Sequence, residues 1–277
     1  MPIVATNAWL KEYETLKKSS FLDKMEWQRD VICEKLLPYF TDATTFDIQF
    51  HLLQYGLFNP ETLDKKAIDA INQSNYWSIA QVEFHQLRKE WNGPDIPIFI
   101  FPSNFNNRAL KNEFNGRSGL AHKDKMFLFI PPKIDSQEIK ALITHEYNHV
   151  CRLHYLNQNE EDINLLEHMV MEGLAEMAVK ERVGEKHLSK WTSIYSVDFA
   201  KDCWEKWIKT NMRKKRIEQF DFMYGNTEKQ IPKWMGYNVG YHLVCSFINH
   251  EKMKAKIALQ TPTERILKRS VFSEEKE

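Results

Sequence analysis

Thr144-His145-Glu146-Tyr147-Asn148-His149, followed by Met171-Glu172-Gly173-Leu174-Ala175-Glu176, is the stretch on which the reading of this 277-residue chain turns. The first run has the spacing H-E-x-x-H, by which one helix offers two imidazoles to a zinc ion. With 10 histidines in the chain, chance supplies only about 0.03 such pentapeptides. Over residues 137–156 the apolar positions Ile139, Leu142, Ile143, Val150 and Leu153 recur at helical intervals, so the motif is expected on a helix. His145 and His149 then share one face, with Cβ atoms roughly 5–6 Å apart. Such a pair converges on an ion at Zn–N distances of about 2.0–2.1 Å. Glu146 lies one residue round the helix, badly placed to share the ion but well placed to touch a water held by it. Zinc lowers the pKa of that water to about 7, and a neighbouring carboxylate can take its proton.

A catalytic zinc keeps three protein ligands and one open position. The extended histidine motif of metzincins would need Gly at 152 and His at 155, where this chain has Arg152 and Tyr155. His154, five residues beyond His149, is turned off the metal face. Glu172 fits better, in a helix expected over residues 163–183 whose apolar positions Leu165, Leu166, Met169, Val170, Leu174 and Met177 give it a buried side. His168, one turn earlier, is the competing ligand. Glu176 follows Glu172 at i+4, where it could accept the free N–H of His145 or His149 and so orient the ring. Gly173 and Ala175 are small enough to let this helix approach the first one closely. Asn148 departs from the H-E-x-D-H of peptide deformylases, and no upstream cysteine motif of that class is present. One Zn2+ is expected, although Mn, Co and Fe also suit an N/N/O site.

Outward from the motif, the first ninety residues read as successive helices. Trp9, Tyr13 and Leu16 fall at helical spacing, as do Val31, Cys33, Leu36 and Leu37, with Pro38 near the end of that element. Residues 42–57 and 62–87 read as further amphipathic stretches separated by the turn signal Phe58-Asn59-Pro60. Asn92-Gly93-Pro94 breaks the helices. Ile96-Pro97-Ile98-Phe99-Ile100-Phe101-Pro102 is short, β-prone and bracketed by prolines, which predicts a strand near a sheet edge. A polar loop over residues 103–118 leads to Gly119-Leu120-Ala121-His122 and then to a strand at Met126-Phe127-Leu128-Phe129-Ile130, stopped by Pro131-Pro132. From Ser136 the pattern is helical again. The expected fold class is therefore α+β and mostly helical, a small sheet set among many helices. Residues 1–93 form an N-terminal helical region and 94–277 a catalytic region; a boundary at 92–94 and a single compact unit both fit. The charged tail Glu274-Glu275-Lys276-Glu277 is expected to fray.

Composition narrows the function classes. Lys plus Arg and Asp plus Glu balance at 38 each, so no overall field draws the chain to nucleic acid or to an anionic membrane. The one dense basic run, Arg213-Lys214-Lys215-Arg216, reads as a solvated helix face or turn. The longest apolar run, Met126–Ile130, is far too short to span a bilayer. The N-terminus lacks the basic and apolar regions of a secretory signal. Cys33, Cys151, Cys203 and Cys245 are scattered without C-x-x-C spacing and are expected as reduced thiols. A cytoplasmic location follows as the expectation.

H-E-x-x-H, some twenty residues, then E-G-L-A-E resembles the gluzincin metallopeptidases, the thermolysin-like and aminopeptidase group. More closely, the pattern is similar to the bacterial YjaZ-type family of predicted zinc proteases. The resemblance runs from about Phe99 to Phe247 and is less specific over the N-terminal helices. It implies a gluzincin-like zinc peptidase core with Glu172 as third ligand. It also implies an edge strand pairing with the substrate backbone, a place that residues 119–122 or Met126–Ile130 would fill. Ile231-Pro232-Lys233-Trp234-Met235-Gly236-Tyr237-Asn238-Val239-Gly240-Tyr241 resembles that family's W-x-G-Y-x-x-G-Y segment. Related peptidases use a Tyr or His to hydrogen-bond the oxyanion, which makes Tyr237 the first candidate and Tyr241 the second. The same tyrosines and glycines would equally serve as a helix packing face. The expected function is zinc-dependent hydrolysis of a peptide or protein substrate through a zinc-bound water activated by Glu146. The alternatives are a non-catalytic zinc-stabilised partner-binding protein and a zinc hydrolase of non-peptide amides or esters.

Overall fold

Helix starts in this chain are written in short polar side chains. Ser20, Thr44, Asp64, Asn107, Asn164 and Ser196 each accept a hydrogen bond from the backbone N–H three residues on, satisfying one of the donors that a helix N-terminus leaves free. The computed structural model describes residues 2–15 and 20–273. Leu16 and the tail at 274–277 lie outside the described residues. The described residues are mostly helical with one small mixed sheet, the α+β class expected. The chain divides into two units, residues 1–86 with 95–143 and residues 87–94 with 144–277.

The first unit holds helices α1 (Thr6–Glu14), α2 (Phe21–Gln28), α3 (Thr45–Tyr55), α4 (Lys65–Asn72) and α6 (Arg108–Phe114), most of α5 (Tyr76–Trp91), and strands β1 (Ile98–Pro102), β2 (Ser118–Ala121) and β3 (Met126–Ile130). The strand order is β1-β3-β2. β1 runs parallel to β3 with Ile98 opposite Met126, and β2 runs antiparallel with Ser118 opposite Phe129. β1 lies at an edge, as its flanking prolines suggest. Met126–Ile130, by contrast, is the middle strand. Of the two segments proposed to present a free edge, only β2 does so. Every residue of β1 and β3 is buried, the pattern of strands covered on both faces. Phe99 stacks on Phe127 with ring centroids 5.0 Å apart, and Tyr39 meets Phe99 edge-on at 4.8 Å.

Two expected boundaries shift. Residues 62–87 form two helices, because Ser74 closes α4 by donating its hydroxyl to Ile71 O (2.6 Å) and opens α5 by accepting from Tyr76 N–H (3.3 Å). The expected loop at 103–118 contains α6, started by the Asn107 cap and ended by Asn115 and Gly116 at φ of 56° and 77°.

The second unit is built on α8 (Leu165–Arg182), in which every residue from Leu165 to Val179 is buried. Around it run α7 (Ser136–Leu156, of which 144–156 belong to this unit), α9 (Val197–Cys203), α10 (Phe220–Tyr224), α11 (Met235–Glu251), α12 (Ala255–Ala258) and α13 (Thr263–Lys268). Gly173 was expected to bring α8 close to the H-E-x-x-H helix. It instead faces α11: a Cβ there would sit 2.3 Å from Gly240 O, and a Cβ on Gly240 would sit 2.2 Å from Met169 O. Part of the glycine-tyrosine segment is thus a packing face.

Arg152, fully buried, locks α7 to α8 and to the C-terminal segment. It donates from Nε and Nη2 to the two Glu167 oxygens (2.8 and 3.2 Å) and from Nη1 to Leu259 O and Thr261 O (2.9 and 2.6 Å). The Asn92-Gly93-Pro94 break is docked on α7, where Tyr147 donates its hydroxyl to Pro94 O at 2.8 Å. A Cβ at Gly93 would lie 2.4 Å from that hydroxyl oxygen.

Gly240→Ala is expected to lower unfolding free energy by about 1–3 kcal/mol, because the intruding methyl meets backbone that cannot rotate away. Arg152→Met strands the buried Glu167 charge and should cost about 3–5 kcal/mol. Urea denaturation of the metal-free protein reads both. A Gly240→Ala protein as stable as the parent would mean that α8 and α11 are not in backbone contact.

Candidate metal centre

α7 and α8 both belong to the second unit from residue 144 onward, and they bring the expected donors together. His145, His149 and Glu172 form a group whose ligand atoms all lie within 4.8 Å of one another, a set that could hold a metal ion. The two Nε2 atoms are 3.0 Å apart. The Glu172 oxygens lie 3.3 Å from His145 Nε2 and 3.6 Å from His149 Nε2. Donors on a tetrahedron with bonds of about 2.0–2.1 Å are separated by roughly 3.3 Å, so the observed spacings bracket those of a zinc site. Three chemically compatible donors, two buried and His145 partly so, facing one another across a gap of ionic size fit the ion well.

The tautomer of His145 is fixed from behind. Its Nδ1–H donates to Glu176 Oε1 at 2.9 Å, which turns Nε2 toward the other donors as the atom that ligates once its proton is lost. Glu176 is itself held by the Ser189 backbone N–H and hydroxyl, each at 2.8 Å. Ser189 carries no motif and was not identified from the sequence; its contact is set by the Gly184–Ser189 turn folding back on α8. The Nδ1 atom of His149 is buried without a hydrogen-bond partner among the described residues. His145 keeps 16% of its side chain exposed, against 10% for His149 and 11% for Glu172, so the approach to the group lies on its side. His154 is exposed and points elsewhere.

Charge in the group is uneven. Burial alone would lower the His145 pKa, but hydrogen bonds and charge from Glu172 and Glu176 outweigh it and lift the pKa well above the usual value. Burial pushes His149 down to about 3, which leaves it neutral. Burial would raise Glu172, yet the imidazoles of His149, His145 and His168 reverse this and keep it ionised. Glu146 is pushed up to about 7, chiefly by burial, with His145 opposing and the Glu172 charge adding to the rise.

His168 stands beside Glu172 rather than replacing it, with Nε2 at 3.7 Å from Glu172 Oε1 and Nδ1 at 2.9 Å from Gln219 Oε1. Tyr237 packs against His168 with ring centroids 6.2 Å apart and donates its hydroxyl to Tyr224 at 2.9 Å. Burial holds its phenol well above the ordinary range, so it remains a protonated donor. Tyr241, one turn on, has Cys245, Lys180, Glu185 and Glu176 as its charged or polar neighbours, which sets it on the Glu176 side and not beside His168. Arg216, Gln219 and Tyr224 border the cluster, and none was identified from the sequence as a site residue. The basic run was expected to be solvated, but its last residue is half-buried against His168.

Two imidazoles and a buried carboxylate, beside a second carboxylate whose pKa is raised, make a donor set of zinc-site type. Residues 76–268 match the family described as "Predicted Zn-dependent protease (DUF2268)", and the chain belongs to that family. It is 33% identical over 260 residues to YjaZ of Bacillus subtilis (strain 168), spanning 92% of this chain and 96% of that protein. It is 22% identical to YjfC of the same organism over 227 residues, 73% of each chain. No solved structure matches. No helix among the described residues is long and apolar enough to cross a membrane.

Two outcomes follow for metal binding. Glu176→Gln should weaken zinc affinity by about 10–100-fold, measured by competition with a chromophoric chelator, and an unchanged affinity would sever Glu176 from the site. In the metal-free protein His145 carries a proton that zinc must displace. Affinity should therefore rise as pH increases through and above the ordinary imidazole range and that competitor is lost, and a flat profile would contradict the charge state assigned to His145.

Proposed function

We propose that the protein is a zinc-dependent peptidase with a gluzincin-like core, in which His145, His149 and Glu172 hold one ion. The observation that carries this reading is the convergence of those three donors beside Glu146, a buried carboxylate with no structural partner among the described hydrogen bonds. A site built only for stability needs no such group and fills the fourth position with protein. Zinc, when bound, supplies Lewis-acid polarisation of a carbonyl and acidification of a water. The chain supplies the rest.

Glu146, with a pKa brought near neutrality, accepts a proton from the attacking water and delivers it to the departing amine. Its burial keeps bulk water from competing for that proton. Tyr237, held protonated by burial, offers a hydroxyl to the oxyanion that forms on the scissile carbonyl; its present acceptor, the Tyr224 hydroxyl, is a partner it can exchange. Glu176 and Ser189 hold His145 in the tautomer that ligates. A peptide or protein is the substrate class, in keeping with the family's description as predicted zinc-dependent proteases.

The test pairs metal analysis with peptide-library cleavage, with and without chelator. The parent protein should cleave, and chelation should abolish cleavage. Glu146→Gln should retain zinc and fold while losing at least about 100-fold in kcat. Full activity in that variant would remove Glu146 from the chemistry. Tyr237→Phe should lower kcat by about 10–1,000-fold with little change in zinc content.

A further inference from the structure

Arg216 is a half-buried cation with no carboxylate partner among the described residues, next to His168 and so one side chain away from Glu172, the acidic member of the metal-donor group. Its Nη1 lies 3.3 Å from both ring nitrogens of His168. These contacts engage Nη1 with the His168 ring and leave the Nε and Nη2 donors with no partner among the described hydrogen bonds.

The His168 ring is itself fixed. Gln219 Nε2 donates to Ile163 O and Lys214 O at 2.8 and 2.9 Å, which obliges its Oε1 to accept from His168 Nδ1–H. The neighbouring acid Glu218 is occupied with Lys214 at 2.8 Å. On the other side stands an aromatic wall of Tyr224, Trp234 and Tyr237, with ring centroids 5.1–5.3 Å apart. A single fixed imidazole therefore separates a guanidinium without a carboxylate partner from Glu172. Its charge is felt at His149 and Tyr237.

We propose that Arg216 binds a carboxylate of the substrate, selecting peptides that carry an anionic group within a residue or two of the scissile bond. The inference rests on the peptidase reading above. An extended residue spans about 3.3–3.6 Å, so a carbonyl held at the metal donors places the next carboxylate near the far side of the His168 ring. Arginine meets a carboxylate through two parallel N–H···O bonds, and the Nε and Nη2 donors of Arg216 are available for them. A C-terminal α-carboxylate and an Asp or Glu side chain present the same group. The aromatic wall covers the apolar part of either residue.

The experiment uses the zinc-loaded full chain and two matched peptide series. One series compares a free C-terminus with its amide; the other compares an internal Glu with Gln in amidated peptides. The carboxylate form in at least one series should show about 10–100-fold higher kcat/KM, carried by KM, and the series that responds identifies the source. Arg216→Met should bring that ratio near one, and Arg216→Lys should retain part of it. Ratios near one in both series for the parent, or a ratio that survives Arg216→Met, overturn the proposal. Calorimetric binding of the same peptides to zinc-loaded Glu146→Gln separates the two readings. Carboxylate-dependent binding without hydrolysis by the parent removes the peptidase and leaves the Arg216 site. Hydrolysis without carboxylate dependence does the reverse.

Discussion

Four acidic or imidazole side chains, Glu146, His149, Glu172 and Glu176, are each no more than 8% exposed within two turns of helix on either side of the α7–α8 contact. Taking an ionised carboxylate out of water costs several kcal/mol unless a cation compensates it. Imidazoles compensate only in part, because burial drives His149 to its neutral form. The cluster is therefore a demand for positive charge in the one place where all three ligand atoms face inward. A dication satisfies that demand directly, and most of the surrounding architecture reads as means of holding the donors in register until it arrives.

That register has two supports of different kind. Between α8 and α11 the Gly173–Gly240 contact brings backbone against backbone, which fixes the depth at which Glu172 sits and carries Tyr237 to His168. Between α7 and α8 the support is ionic. Arg152 lies three residues after His149 and Glu167 five before Glu172, so their paired bonds pin the two helices one turn below the donors. A buried ion pair contributes little net stability compared with an apolar pair, but it tolerates no slippage. Geometry, more than stability, explains its presence here.

The donor set was legible in the sequence because helical periodicity turns spacing into direction. His145 and His149 at i, i+4 must share a face, and Glu172 and Glu176 at i, i+4 must share another, so a pairing of Glu176 with one of the two imidazoles was available in advance, and the fold selects His145. What escaped came from contacts that no local rule encodes. Ser189, Arg216, Gln219 and Tyr224 lie in turns or short helices, and they reach the cluster only through the fold of the chain after α8. Gly173 announced a close approach without naming the partner, and α11 rather than α7 took it. Met126–Ile130 and Ile98–Pro102 are equally apolar, and pairing order alone makes one the middle strand and the other an edge. α6 was hidden because its seven residues bury nothing and so leave no hydrophobic period to read.

The two sides of the site differ in a way that bears on the direction of a bound chain. Glu146, Glu176 and the Ser189 turn make the His145 side acidic and hydrogen-bonded. The His168 side carries Arg216, a neutral Tyr237 and an aromatic wall. A peptide is itself polar end to end, cationic at its amino terminus and anionic at its carboxyl terminus. If its carbonyl is seated at the donors, the orientation that puts carboxylate toward Arg216 also keeps it clear of Glu146, while the reverse orientation brings like charges together in a water-poor setting. Opposite charges several ångströms apart are worth a few kcal/mol there, and like charges cost as much. On the proposed reading, orientation is an electrostatic consequence of the same fold that assembles the donors: α8 supplies both Glu172 and, one turn earlier, His168, against which Arg216 sits.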